Sequence, residues 1–272
     1  MRVHFKHGRA WFAIRSEVVY NHFDMQTDFK RFLPDLAGAP AVAAISSICV
    51  AVFAVQIVAA RIPFPAGISL GTVLHYAFGL YLPLLSKGAF WQPVTYIFLH
   101  GSLLHIFFNL FTLIFFGAAV ERIVGTRRFW GLFLLSGVLG GLGWMLFDYF
   151  EPSLWMWVQT LPHDIFRRLA QRWGESQTAG MPYNVCVGAS AGVCGLIGAF
   201  AALFPEARLT VFLFYIIPVR LRSRTFAILL ALVSLGAIVL STGHVAHAAH
   251  LAGGIVGYLW ARRRRPQMIF YA

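Results

Sequence analysis

Charged residues and cysteines are scarce in this sequence. Only 12% of its 272 residues are charged, while 59% are hydrophobic and the mean hydropathy is +0.71. So few charges cannot cover the surface of a soluble domain, which excludes the ordinary classes of soluble enzyme and binding module. Several windows approach the roughly 20 apolar residues that a helix needs to span a bilayer. The composition therefore predicts an integral, multi-pass membrane protein.

The three cysteines, Cys49, Cys186 and Cys194, fall within or at the edge of apolar runs. They form neither a disulfide framework nor a CxxC zinc pattern, so they do not identify a redox compartment. No apolar segment of the signal-peptide kind begins near Met1. We therefore expect residues 1–38 to form an N-terminal cytoplasmic or interfacial segment.

Six apolar runs predict six membrane-spanning helices. They cover residues 41–60, 102–120, 129–147, 185–204, 225–240 and 244–260. We expect Ser102 to cap the second of these helices. A short polar turn is expected at 121–128 and a long polar loop at 148–184. The interval 62–99 is apolar but broken by four prolines, which predicts a membrane-embedded loop instead of a span.

The stretch 209–219 is apolar but too short for a span. Pro218 interrupts it, and we interpret it as a lead-in to the fifth helix. The predicted fold is therefore an all-α bundle of six transmembrane helices over residues 39–265, with a membrane-embedded first loop. A C-terminal tail follows at 266–272.

Basic residues are distributed unevenly between the two sides of this predicted bundle. Of the 22 Lys and Arg residues, seventeen fall on the side that holds both termini and five on the other. Because cytoplasmic loops carry the excess of Lys and Arg, both termini are expected in the cytoplasm of a plasma or inner membrane. The second, fourth and sixth spans then enter from the outer face. Since the net charge of +12 follows from this bias, no nucleic-acid partner is expected.

Polar side chains recur at one depth in three of the predicted spans. With 1.5 Å of rise per residue, Ser190, His250 and Asn109 lie roughly 8, 9 and 10 Å below the starts of their helices. His105 lies one turn above Asn109 on the same face. Polar groups inside a bilayer face a bundle interior or a wet cavity. These side chains are therefore expected to converge near the outer surface and to satisfy one another.

Acyl transfer is the chemistry that these residue types support. A serine hydroxyl is a poor nucleophile until a nearby imidazole takes its proton, and histidine titrates near neutral pH. Asn and His N–H groups can stabilise an oxyanion. Gly253 and Gly257 form a GxxxG pattern in the sixth span. Such a pattern allows the close backbone approach that a contact between Ser190 and His250 requires.

Three segments carry a family resemblance. Residues 105–109 read HIFFN, residues 188–192 read GASAG, and residues 249–257 read AHLAGGIVG. In this order on the second, fourth and sixth spans, they resemble the rhomboid family of intramembrane serine proteases over about residues 40–262. A GxSxG motif alone also occurs in soluble hydrolases, so the combination of the three segments gives the specificity.

The resemblance implies a catalytic arrangement. Ser190 is the implied nucleophile and His250 the implied general base, in a dyad without an acidic third member. Gly188, His105 and Asn109 are implied to help form an oxyanion hole. The implied partners are the lipid bilayer and transmembrane protein substrates, cut near the outer face by a serine endopeptidase that needs no cofactor and no metal.

Two further positions bear on the expected site. His100 matches a family histidine that supports the first loop. Cys194 stands four residues after Ser190, where the family often has an aromatic ring stacked on the catalytic histidine. With cysteine there, His250 is expected to be less firmly oriented or to be held by another ring.

Two other functions are left open by the sequence. One is a metal or haem site, because imidazole ligands inside a bundle could come from His100, His105, His244, His247 and His250. That hypothesis accounts for neither Ser190 within GASAG nor Asn109, and we interpret His244 and His247 as cavity-lining residues. The other is a non-proteolytic relative that binds membrane clients, although such relatives usually lack the serine or the histidine.

Overall fold

A computed structural model of the chain describes residues 38–158, 185–213, 217–239 and 246–264. The predicted tail at 266–272 lies outside these residues, as do His244 and the N-terminal segment up to residue 37. The same holds for the predicted loop 148–184 beyond residue 158. Within the described part, helices dominate, and the predicted all-α class is confirmed apart from two small β-hairpins.

Among the described residues, six helices of 14 residues or more build the bundle. They are α1 (Pro40–Ala59), α5 (Leu103–Val124), α6 (Thr126–Val158), α7 (Ser190–Leu203), α8 (Ser223–Val239) and α9 (His247–Arg262). Three short helices lie between α1 and α5, namely α2 (Leu70–Phe78), α3 (Leu82–Leu85) and α4 (Gln92–Thr95). By length and composition, α1, α5 and residues 126–150 of α6 are able to cross a membrane, while α7 and residues 223–238 of α8 are shorter apolar helices.

The predicted membrane-embedded loop consists of these short helices and a small hairpin. Strands β1 (Pro63–Phe64) and β2 (Ile68–Ser69) pair antiparallel before α2 begins. Gln92 is fully buried, accepts a hydrogen bond from Tyr81 N and donates one to Tyr76 O. Because one side chain satisfies backbone groups of two segments, the irregular chain stays buried without unpaired polar atoms at these positions.

The predicted boundary between the second and third spans is wrong. Helix α5 does not end near Val120 but continues to Val124, through a π-helical turn at Leu113–Gly117. Gly125 alone separates it from α6, so the expected polar turn at 121–128 is absent. Helix α6 in turn continues to Val158, through the first part of the predicted loop 148–184.

The fourth span begins later than predicted. Helix α7 starts at Ser190 instead of Val185, so Ser190 is its first residue and does not lie a turn and a half inside it. The preceding chain is extended because Cys186 and Leu80 exchange two backbone hydrogen bonds of 2.9 and 3.0 Å. Gly188 then has φ of +123°, a conformation outside any right-handed helix that glycine adopts readily.

The predicted lead-in at 209–219 is a β-hairpin. Strands β3 (Arg208–Leu213) and β4 (Ile217–Arg222) pair antiparallel and join α7 to α8. The alternation of polar and apolar residues in both strands favours a half-buried hairpin. The described residues between α7 and α8 therefore hold no further helix, as the interpretation of this stretch as a lead-in predicts.

Glu121 links α5 to the start of α1. The residue is 2% exposed and accepts hydrogen bonds from Ala41 N and Val42 N at 2.9 Å and from Thr126 Oγ1 at 2.8 Å. Ala39, at the N-cap of α1, makes no side-chain cap. Glu121 therefore satisfies two orphan donors of α1 from another helix and lies at the positive end of the α1 dipole.

Helix α7 lies at the centre of the bundle. Twelve of its 14 residues are buried, all except Ser190 and Cys194. A methyl group on Gly257 would overlap the carbonyl oxygen of Gly195, and one on Gly253 would overlap that of Ala191. The backbones of α7 and α9 are therefore in direct contact.

Replacing Glu121 should separate α1 from the bundle. Glu121→Ala leaves the buried Ala41 and Val42 N–H groups unpaired, and we expect a loss of about 2–4 kcal/mol in the free energy of unfolding. Glu206→Ala is the matched control, because this glutamate forms only exposed ion pairs, which contribute about 0–1 kcal/mol. Denaturant unfolding of the purified chain in mixed micelles measures both, and equal losses would contradict the capping role.

Adding one methyl group should distinguish glycines at the helix contact from glycines elsewhere. Gly257→Ala is expected to lower the free energy of unfolding by about 1–3 kcal/mol, because overpacking forces α7 and α9 apart. Gly236→Ala on α8 should be neutral or stabilise by up to about 1 kcal/mol, since nothing lies within 4 Å of the new methyl group. The same unfolding experiment applies. A stabilising Gly257→Ala would refute the direct backbone contact.

Candidate active site

The backbone that leads to Ser190 is fixed by the first loop. Gly188 N donates to Tyr96 O at 2.9 Å, two residues before Ser190, and Cys186 pairs with Leu80. Tyr96 is itself buried and donates its hydroxyl to Gly137 O of α6 at 2.6 Å. The position of Ser190 therefore depends on backbone hydrogen bonds to the membrane-embedded loop, which is in turn attached to α6.

Ser190 and His250 are in direct contact. Ser190 Oγ and His250 Nε2 are 2.8 Å apart, which is hydrogen-bond distance. Ser190 is the first residue of α7 and His250 the fourth of α9. Both side chains are partly exposed, although α7 is otherwise almost wholly buried. The pair is therefore at one end of the two helices, in a place that a reacting group can reach.

The ring that packs on His250 belongs to its own helix. The His247 and His250 ring centroids are 6.0 Å apart at an interplanar angle of 84°, an edge-to-face contact. Cys194, one turn after Ser190, is partly exposed and supplies no ring. Among the described residues, no carboxylate hydrogen-bonds to His250. Its neighbours are thus a hydroxyl and a second imidazole.

His105 lies against the turn before Ser190. Ser102 Oγ caps this helix by accepting from His105 N at 3.1 Å, and Gly101 N donates to His105 Nδ1 at 3.3 Å. An accepting Nδ1 assigns the proton of the neutral ring to Nε2. A Cβ on Gly188 would lie 2.7 Å from His105 Nε2 and 3.7 Å from Ser190 Oγ. The space that this missing Cβ leaves is therefore shared by an N–H donor and the serine hydroxyl.

Asn109 is one turn further along α5. It is 5% exposed, and its Nδ2 donates to His105 O at 2.9 Å. An amide NH₂ carries two protons, so this bond leaves a second one for another acceptor. The contact also fixes the side chain on the His105 face of the helix.

His100 ties the end of the first loop to α1. His100 N donates to Gln56 Oε1 at 3.0 Å, and Gln56 Nε2 donates back to His100 O at 3.2 Å. The His100 and His105 rings meet edge to face, with centroids 5.2 Å apart. Gln56 was not predicted from the sequence, although a single amide side chain within an otherwise apolar span could have indicated it. Tyr96 was not predicted either, because nothing in the sequence distinguishes it from other aromatic residues.

The arrangement can perform nucleophilic chemistry. It combines a hydroxyl bonded to an imidazole with N–H donors on a neighbouring helix, and Ser190 stands at the positive end of the α7 dipole. Within the described ranges, no group of three His, Cys, Asp or Glu side chains is placed to hold a metal ion. His244 lies outside those ranges.

Known proteins resemble the part of the chain that carries this site. The Rhomboid domain matches residues 87–266, which is more than half of the sequence and includes all three motifs. The chain is 37% identical over 62 residues to Rhomboid-like protease 1 of Toxoplasma gondii, covering 23% of this chain and 21% of that protein. It is 41% identical over 58 residues to Rhomboid protease GlpG of Yersinia pestis (strain Pestoides F), covering 21% of each.

One similar protein is named as inactive. Inactive RHOMBOID-like protein 8 of Arabidopsis thaliana is 34% identical over 88 residues, covering 32% of this chain and 25% of that protein. In all three comparisons the chain spans about a fifth to a quarter of the relative's length. The domain match and the apolar helices together establish that this polytopic membrane protein belongs to the rhomboid family.

Proposed function

We propose that the protein is a serine endopeptidase that cuts transmembrane segments of other proteins within the membrane. The observation that carries this proposal is the 2.8 Å contact between Ser190 Oγ and His250 Nε2. Similar proteins named as rhomboid proteases support the same activity.

His250 acts first as a base and then as an acid. Its Nε2 takes the Ser190 proton as Oγ bonds to the scissile carbonyl carbon, and the imidazolium then gives that proton to the leaving amine as the C–N bond breaks. A water molecule, deprotonated by the same nitrogen, hydrolyses the resulting ester and regenerates Ser190. With no carboxylate bonded to His250 in the described residues, its ring is oriented by the hydrogen bond to Ser190 Oγ and by the edge-to-face contact with His247.

Three N–H groups stabilise the oxyanion that forms between these steps. His105 Nε2 borders the space next to Gly188 that Ser190 Oγ also borders, the Ser190 amide is the first N–H of α7, and Asn109 supplies its second amide proton from the same face as His105. Donors held in place before reaction need no reorganisation as charge develops, so they stabilise the transition state more than the substrate. His100 has a supporting role, because it holds the first loop against α1.

Substrates must present an extended strand to this site. A carbonyl inside a helix is occupied by its own hydrogen bond and shielded by side chains, so small or helix-breaking residues near the cut favour unwinding. By the distribution of Lys and Arg, both termini are cytoplasmic and the site opens to the outer face of a plasma or inner membrane. Transmembrane proteins are therefore the proposed substrates.

A non-proteolytic, client-binding relative is the second candidate. This candidate is favoured by the similar protein from Arabidopsis thaliana that is named as inactive. Ser190 and His250 are both present here and in contact, which is the feature that distinguishes the two functions. A metal-binding role has no comparable observation among the described residues.

Removing either member of the dyad should abolish cleavage. Ser190→Ala and His250→Ala are each expected to slow cleavage of a detergent-solubilised transmembrane substrate at least about a thousandfold. Ser234→Ala, a buried serine on α8, is the matched control and should cleave normally. A fluorophosphonate probe should label the wild type and Ser234→Ala but not Ser190→Ala. Undiminished cleavage by either dyad variant would rule out the proposed chemistry.

Asn109→Ala tests the oxyanion donors. Loss of a donor used only in the transition state should lower kcat roughly a hundredfold and leave KM nearly unchanged. Thr112→Ala, three residues along the same helix, controls for general effects of truncation on α5. Steady-state kinetics in micelles, with unfolding measured in parallel, separates the possibilities. A raised KM with normal kcat would assign Asn109 to substrate binding instead.

A further inference from the structure

The β3–β4 hairpin has one apolar face and one basic face. Directly paired residues share a face, so the register Arg208↔Arg222, Thr210↔Arg220 places three arginines on the same side. The intervening pair, Leu209 and Leu221, points to the opposite side, where Leu209 is 2% exposed in the core. The basic side is therefore the solvent-facing side, and all three arginines on it are exposed.

Positive charge on this face is only partly neutralised. Glu206 bonds to Arg222 at 3.2 Å and to Arg224 at 2.9 Å. Arg208 lies directly opposite Arg222, and no acidic side chain among the described residues contacts it. Like charges directly opposed across a hairpin destabilise it unless an anion lies between or above them. The face thus has the charge complement of an anion site.

The hairpin cannot turn this face inward. Its base is tied to the adjoining helices, since Ser223 N donates to Ala207 O at 2.8 Å and Ser223 Oγ donates to Phe204 O. The buried Leu209 fixes the apolar face against the core. The backbone that carries the arginines is therefore held in one arrangement before any ligand binds, which lowers the entropic cost of binding.

The basic face lies at one end of the bundle, where the chain leaves α7 and enters α8. Helix α6 begins at this end with Arg127 and Arg128, and α9 ends there with Arg262. The Cζ atom of Arg264 lies 4.1 Å from the centroid of the Trp260 ring, and such Arg–aromatic pairs are found at membrane interfaces. Helices α5 and α6, which are long and apolar enough to cross a membrane, end and begin at this same end, so the hairpin arginines are expected at the level of lipid headgroups.

We propose that the exposed face of the hairpin, formed by Arg208, Arg220 and Arg222, binds the phosphate headgroup of an anionic phospholipid in the surrounding bilayer. Guanidinium groups bind phosphate oxygens in pairs of parallel hydrogen bonds, and two opposed arginines offer such pairs to one phosphate. The lipid is supplied at high local concentration by the membrane itself. This site does not depend on the proposed protease chemistry at the other end of α7.

Titration of the full-length protein in a neutral detergent tests the proposal. Short-chain phosphatidylglycerol should raise the unfolding midpoint of the wild type in a saturable way, whereas phosphatidylcholine of the same chain length should not. Each arginine near a membrane surface contributes roughly a fivefold factor in affinity for anionic lipid. Arg208→Gln/Arg222→Gln should therefore weaken the apparent affinity for phosphatidylglycerol roughly 25-fold.

Matched controls keep the test decisive. Arg61→Gln/Lys87→Gln removes the same charge from exposed positions at the opposite end of the bundle and should leave the affinity unchanged. Arg208→Gln alone removes an arginine without an acidic partner, so it tests the site even if the double variant is unstable. An unchanged phosphatidylglycerol response in Arg208→Gln would overturn the proposal, as would an equal response to phosphatidylcholine. An equal response to inorganic phosphate would assign the face to a soluble anion instead.

Discussion

Direct contact between the backbones of α7 and α9 is the constraint on which the rest of the site depends. The serine side chain is short, so Ser190 Oγ reaches His250 Nε2 at 2.8 Å only if the two helices approach more closely than ordinary side chains permit. Gly253 and Gly257 allow that approach, because a methyl group at either would overlap the backbone of α7, while one on Gly195 would overlap Ser136 of α6. Van der Waals packing of small residues replaces the hydrophobic effect as the source of association between helices in lipid.

A second layer of support comes from the irregular first loop. Its backbone pairs with Cys186 and accepts from Gly188 N, so two residues in the segment that leads into Ser190 are held by backbone hydrogen bonds. The loop is in turn attached to α1 through Gln56 and to α6 through Tyr96. Ser190, the proposed nucleophile, is thus positioned by elements distant in sequence, which is the arrangement that catalysis by preorganised groups requires.

Much of this organisation could be predicted from the sequence, because apolar runs, small residues and isolated polar side chains have few interpretations in a membrane protein. The cap at Ser102, the irregular 62–99 interval and the three motif segments follow from local pattern alone. The start of α7 could not be predicted, since pairing of Cys186 with Leu80 is a contact between residues more than a hundred positions apart. The end of α5 was missed for the same reason, because Glu121 is compensated by backbone donors of α1 and not by water.

The π-helical turn at Leu113–Gly117 has a geometric consequence for α5. Asn109 and Glu121 are twelve positions apart, which in an uninterrupted α-helix, at about 100° per residue, would separate them by about 120° around the axis. A π-helical turn accommodates one extra residue, which takes up about 100° of that angle and leaves the two side chains within about 20° of each other. Both are in fact buried, at 5% and 2% exposure. The turn thus places on nearly the same side of α5 the side chain that holds the backbone of His105 and the side chain that holds the start of α1, so that one helix supports two separate parts of the bundle.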